Sequence, residues 1–184
     1  MMPLFFFPWA VTFELYHLCI QSFLKSLNTR LNCYGFYRRF HSVAYLQQIW
    51  WLEVCGEIDF CFPAGSYSLF FRLHLGRPHK CTGRRGHGSE SIHGWDIKPT
   101  RFQLSTSDDQ HTESECYLSK PGRWILYHVG DFVVSSSDEV TELRFSMMQI
   151  DCTHTKGGLC VDSVFIFPKD HQYEEECVPC QKIL

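Results

Sequence analysis

Neither sign of charge dominates this chain. Its 184 residues carry 17 Lys and Arg against 20 Asp and Glu, so no global field attracts a polyanion and nucleic acid is not an expected partner. Long apolar runs are missing as well. Leu4, Phe5, Phe6, Phe7, Trp9, Ala10 and Val11 open the chain, but Pro8 interrupts them and Glu14 and His17 follow. A membrane helix needs roughly 20 largely apolar residues, and a secretory signal needs basic residues ahead of its core; neither pattern is met. The expectation is no membrane span and no secretion. Cysteine, with ten residues, is about 5% of the chain, short of the proportion that marks a disulfide scaffold. Cys55, Cys61, Cys116, Cys152 and Cys160 lie in or beside apolar strand-like runs, where a thiol behaves as a small hydrophobe. Reduced cysteines and an intracellular protein follow as expectations.

Motifs that carry catalysis or cofactors are also scarce. The stretch Gly76 to Gly94 holds five glycines, but they do not follow a strand and open a helix as a phosphate loop does. It reads as a long flexible loop, and its His79, His87 and His93 are irregularly spaced, which makes a weak case for a metal. Cys177-Val178-Pro179-Cys180 has the spacing of a metal knuckle but no second pair or His at matching distance, so residues 169–184 read as a frayed tail and no metal is expected. His128 lies near Asp131, and Ser146, Asp151, His154 and Asp162 can be drawn as a triad, yet no nucleophile elbow surrounds them. A turn at residues 151–158 explains the same residues. The reading is a binding module, not an enzyme, with no cofactor.

A helix is drawn from Phe13 to Leu27, with Phe13, Tyr16, Ile20, Phe23, Leu24 and Leu27 on one side. Residues 28–40 mix Arg30, Arg38 and Arg39 with Tyr34, Phe36 and Tyr37 and read as a connector. The rest alternates with period two. Tyr67, Leu69, Phe71, Leu73 and Leu75 take every second position, and successive side chains leave opposite faces of a strand. Phe70 breaks the polar face, which predicts a cover over it. Trp51 to Phe60 is a second strand, joined to the first in a hairpin-like unit by the Pro63-Ala64-Gly65 turn. Further strands are expected at Ile97 to Ser105, Cys116 to Leu118, Trp124 to Val134, Leu143 to Ile150 and Cys160 to Phe167, with a polar turn at residues 107–115. Many short strands between Gly, Pro and Ser turns argue for an all-β fold, an antiparallel β-sandwich or barrel.

Three blocks carry a family resemblance: SVAYLQQIWWLEVCGEIDFCFPAGSYSLFFRLHLGR (residues 42–77), HGWDIKPTRFQLSTSDDQH (93–111) and FSMMQIDCTHTKGGLCVDSVFIFP (145–168). They resemble the phloem protein 2 domain of plant F-box proteins, which is similar to the tobacco agglutinin type of lectin. The resemblance implies a β-sandwich of jelly-roll type over residues 40–168, after an irregular or helical segment at 1–39. It implies binding of N-acetylglucosamine oligomers or N-glycan cores, glycoprotein partners, and a cytoplasmic or nuclear location. A cullin-type ubiquitin ligase would be reached through an F-box, which nothing in residues 1–40 matches. Carried over residue by residue, the two acidic sugar contacts fall at Glu142 and Gln149, the second an amide. Trp51 and Trp124 match aromatic positions and read as core, whereas Trp50 and Trp95 read as the exposed aromatics able to stack on a sugar. The alternative function is a protein-interaction adaptor whose sugar site has decayed.

Overall fold

The computed structural model describes residues 4–7, 10–14, 30–32, 42–76, 92–172 and 175–183. Thirteen strands run through them: β1 Leu4–Phe7, β2 Ala10–Glu14, β3 Arg30–Asn32, β4 Ser42–Leu46, β5 Leu52–Phe60, β6 Gly65–Leu75, β7 Thr100–Thr106, β8 His111–Cys116, β9 Trp124–Val134, β10 Thr141–Gln149, β11 Leu159–Pro168, β12 Glu176–Pro179 and β13 Gln181–Lys182. Phe13 and Glu14, placed above in a helix, belong to β2; the remainder of that expected helix, and the loop at 77–91, lie outside the described residues.

The strands form two sheets. The larger runs β1-β2-β11-β6-β9-β12, with β4 sharing the edge of β11 beside β2 and β3 pairing with β4; the smaller runs β13-β8-β7-β10-β5. From β4 onward nearly every connection changes sheet. The order β4-β11-β6-β9 faces β5-β10-β7-β8, which is the two-Greek-key arrangement of a jelly roll. All pairings are antiparallel except β12 with β9. The inner faces meet in one apolar core: Phe71 of β6 reaches Phe102 of β7 at 5.8 Å and Phe145 of β10 at 5.9 Å between ring centroids. Edge-to-face and tilted pairs at this spacing suit the ring quadrupoles.

β5 and β6 are strands, but they are not a hairpin. They lie in opposite sheets, and residues 61–64 arch between the layers. The physical reason is Phe62, which is fully buried and wedged against Phe60, Tyr67 and Phe132, closing one end of the core. Tyr67 donates its hydroxyl to the Pro63 carbonyl at 2.8 Å and Ser137 accepts the Ala64 N–H at 2.8 Å, which fixes the arch from β6 and from the β9–β10 turn.

The polar run expected as a turn at residues 107–115 contains β8, and Cys116 ends that strand instead of starting one. β8 hides only Ser114 completely, whose hydroxyl donates to the Val129 carbonyl at 2.8 Å, so it carries no apolar alternation to read.

The chain after β11 does not fray. Residues 169–172 and Glu175 lie against the outer face of the larger sheet, and then β12 adds to β9 and β13 adds to β8. Along the way His171 stacks on Phe167 at 4.9 Å, and Glu175 meets Arg72. This strap is the cover that Phe70 predicts. Phe70, Leu126, Phe165 and Phe167 form a second apolar cluster there, with Cys177 packed on it. Beside it Arg72 is buried, 2.8 Å from both Asp162 and Glu175, with its guanidinium 4.3 Å from the Trp124 ring. Asp162 is the extra residue of a bulge between Val161 and Ser163, and the bulge turns its carboxylate to the arginine. Burial works against the Arg72 charge, but the two carboxylates outweigh it and raise its pKa, whereas burial dominates at Asp162 and raises that carboxyl too.

Candidate functional site

One end of the sandwich is built from three connections that carry no regular structure of their own: residues 47–51 before β5, 92–99 before β7 and 150–158 before β11. Backbone bonds knit them together. Ile49 and Lys156 exchange two hydrogen bonds of 2.8 Å, Gly157 donates to His93 at 3.0 Å and Gly158 donates to Leu46 at 2.8 Å. The approach is too close for side chains. A Cβ on Gly157 would stand 2.2 Å from the Gln47 carbonyl, and Gly94, at φ +81°, has the Thr155 carbonyl in the same position at 2.3 Å.

Lys156 is the centre of this end. Its ammonium is buried and donates to three carbonyls, those of Trp50 at 2.7 Å, Asp151 at 3.0 Å and Gln149 at 3.1 Å. Burial lowers its pKa. Three neutral acceptors satisfy all three N–H donors, so the ammonium serves as a bolt holding the Trp50 and Asp151 loops to the end of β10.

On that scaffold stand exposed apolar side chains. Trp50 is 56% exposed and Trp51 46%, and Ile97 and Ile150 are exposed on the neighbouring loops. Hydrogen-bonding groups lie among them. The Trp51 indole N–H donates to Glu53 at 3.3 Å, Asp151 accepts the Thr153 N–H at 2.8 Å, and His154 contacts the Gly94 carbonyl at 3.1 Å. The bond from Thr153 holds the Asp151 carboxyl below its usual range. Flat apolar rings beside carboxylate, hydroxyl and imidazole groups suit a ligand with an apolar face and polar edges.

Of the residues expected at a site, the structure brings Trp50 and Gln149 to this end. Gln149 itself is buried, donates to the Lys98 carbonyl and leaves Oε1 without a hydrogen-bond partner. Trp95 corrects the expectation of an exposed aromatic: it is 2% exposed, packs in the core and donates its indole N–H to the Gly157 carbonyl at 2.7 Å. The turn at Gly94 folds it under the loops instead of onto the surface. Trp51, expected in the core, is the outward ring. Glu142 lies at the opposite end of β10, paired to Arg144, which also meets Glu57 at 3.0 Å. Seven strand positions separate Glu142 from Gln149, roughly 24 Å, and an odd spacing puts them on opposite faces. They do not form one sugar subsite. The signal that finds the exposed end is the doubled Trp50-Trp51 immediately before a strand.

The residues drawn above as a triad are spread through the molecule. Ser146 bonds Gln103, Asp162 pairs with Arg72, and His154 meets Gly94. His128 does meet Asp131, at 2.8 Å, but Asp131 also accepts from Ser68 at 2.7 Å and pairs with Lys169 at 3.1 Å, so it ties the strap to β6 and β9. Among the described residues no group of three or more His, Cys, Asp or Glu is arranged to hold a metal, and no helix is long and apolar enough to cross a membrane.

Comparison with known proteins agrees with the three sequence blocks. The "F-box protein PP2-A13" of Arabidopsis thaliana is 63% identical over 133 residues, covering 72% of this chain and 46% of that protein. A "Lectin" of Luffa acutangula is 30% identical over 131 residues, covering 69% and 55%. The chain thus spans about half the length of the curated relatives it matches. Among solved structures, TmCBM61 in complex with β-1,4-galactotriose overlaps 71% of this chain and 73% of its own at 14% identity and a TM-score of 0.36, too distant to bear on function. The profile of "Phloem protein 2" matches residues 30–168, and the chain belongs to that family.

Proposed function

We propose that this chain is a lectin-like carbohydrate-binding module, a binding unit without catalysis, whose ligand rests on the end of the sandwich that carries Trp50 and Trp51. The observation that supports this reading is the pair of outward indoles on loops bolted by Lys156, beside open carboxylate and hydroxyl groups, in a family that includes a relative named as a lectin. Ring faces stack on the apolar faces of sugars, and the surrounding acceptors meet the hydroxyls. The sugars proposed are N-acetylglucosamine oligomers and the cores of N-glycans, presented on glycoproteins of the cytoplasm or nucleus. In a longer protein of the F-box type this module would select the substrate for a cullin-type ubiquitin ligase. Residues 40–168 would be the binding domain proper.

The test is titration of the full chain with chitin oligomers, followed by intrinsic Trp fluorescence. Saturable binding is expected, and Trp50→Ala and Trp51→Ala each weaken it about fivefold, the loss of roughly 1 kcal/mol of stacking. Trp50→Ala keeps the backbone carbonyl that Lys156 needs, so the fold survives the change. Glu142→Ala leaves binding unchanged because that residue stands at the far end. One observation favours the second reading, a polypeptide-binding adaptor: Glu142 and Gln149 are separated and Gln149 is buried. A flat titration by folded protein would select it.

A further inference from the structure

The last crossover of the chain passes from one sheet to the other through a single residue, Cys180, between β12 and β13. In the β13–β8 ladder Gln181 stands opposite Glu115 and Lys182 opposite Ser114. One step further along the same register sets Cys180 opposite Cys116. Ile183 donates to Glu113 at 3.0 Å, so the ladder's alternation makes the cysteine pair a non-hydrogen-bonded one. In such pairs the Cα atoms approach to about 4.5 Å and the side chains are closest, inside the range that a disulfide spans. The two Sγ atoms are 3.1 Å apart, roughly 1 Å more than an S–S bond, and both residues are only partly buried.

The other candidate partner of Cys180 faces elsewhere. Cys177, its companion in the Cys-x-x-Cys spacing, packs on the outer cluster around Phe70, whereas Cys116 and Cys180 both border the main core. The sheet itself separates the two halves of the motif.

We infer that Cys116 and Cys180 are a reversible dithiol–disulfide pair, closed by a small-molecule disulfide of the glutathione type, which rivets the C-terminal strands to the sandwich. One protein thiolate attacks a sulfur of oxidised glutathione, whose S–S bond breaks and releases one reduced glutathione. The second protein thiolate then attacks the mixed disulfide and releases the other. Two protein thiols lose two protons and two electrons, and both pass to the two glutathione molecules. The hydrogen bond with Cys180, and then burial, push the Cys116 thiol up, so closure is slow at neutral pH and faster in mild alkali. The closed bond joins positions 64 residues apart and fixes β13 on β8, and with it the strap that sets Glu175 over Arg72.

The experiment equilibrates the full chain in buffers of stepped reduced-to-oxidised glutathione ratio, alkylates the remaining thiols and maps the peptides. The expected result is a cross-link between the Cys116 and Cys180 peptides at oxidising ratios, reversed by dithiothreitol. The cross-link raises Tm by roughly 5–10 °C, as closure of a long loop does. Cys180→Ser abolishes both effects and Cys177→Ser changes neither. Glutathione adducts at either cysteine without a cross-link, a Cys177–Cys180 bond, thiols that stay reduced at every ratio, or a cross-link with no change in Tm would each overturn the inference.

Discussion

At the scale of single residues, polar groups settle where the loops and the strap are held. Asp131 accepts from Ser68 and His128 and pairs with Lys169. Partial burial alone would raise its carboxyl, but those three bonds overcome it and hold it at about 2 against the ordinary 3.8. A depressed carboxyl stabilises the fold fully above its unfolded value, and that stabilisation is lost as the pH falls from 3.8 through about 2. Because the group is partly exposed to solvent, the effect is about 1 kcal/mol rather than the full shift. Asp131→Asn is expected to flatten acid unfolding between pH 4 and 2, measured by circular dichroism, while costing little further at pH 2. Gly157 is governed by space instead. Gly157→Ala puts a methyl 2.2 Å from a carbonyl oxygen that cannot yield without breaking the Ile49–Lys156 bonds, and urea unfolding should show a loss of about 2–3 kcal/mol. Neither residue's full role is legible in sequence: His128 lies near Asp131, but Ser68 is 63 positions before it, and Gln47 is 110 positions before Gly157. The Trp residues make the same point: local pattern cannot tell that Gly94 turns Trp95 inward while Trp51, one position before a strand, points out.

At the scale of elements, legibility follows one-sided burial. β9, β10 and β11 alternate or run apolar against a deep core, and the sequence locates each of them to within a few residues. β8 has no apolar face, so its polar residues read as a turn. β12 and β13 are too short to show a period, and their pairing is supplied by strands more than 50 positions earlier. The strap between β11 and β12 matters beyond its length because it shields a buried arginine and an aromatic cluster at once. Ending the chain at Pro168 would expose Phe70, Phe165 and Phe167, remove Glu175 from Arg72 and bare the edges of β9 and β8. Exposed aromatics beside open strand edges bind hydrophobic dyes and self-associate. The truncated chain is therefore expected to raise anilinonaphthalene sulfonate fluorescence several-fold and to elute as oligomers in size-exclusion chromatography. Arg72→Met in the full chain leaves Asp162 as an unpaired buried carboxylate and should cost about 3–5 kcal/mol, with part regained in the Asp162→Asn double variant.

At the scale of the whole molecule, topology decides how stability is shared. The connections β4–β5, β5–β6, β6–β7, β8–β9, β9–β10, β10–β11 and β12–β13 all cross between the sheets, so neither sheet is assembled from one continuous piece of chain. Removing either layer also exposes the aromatic contacts of Phe71 with Phe102 and Phe145, which belong to both. A structure tied in this way has no half that retains a core of its own. Unfolding is accordingly expected to be one transition: far-ultraviolet circular dichroism, which reports the strands, and Trp fluorescence, which reports Trp95 and the exposed end, should give superimposable urea curves. Refolding should be slow, on the scale of milliseconds to seconds, because β1–β2, β3–β4 and β7–β8 pair locally but the other pairings join distant segments. Two separated transitions would mean that one layer survives without the other, and the end that carries Trp50 and Trp51 would then owe its rigidity to its own loops and Lys156 rather than to the sandwich beneath.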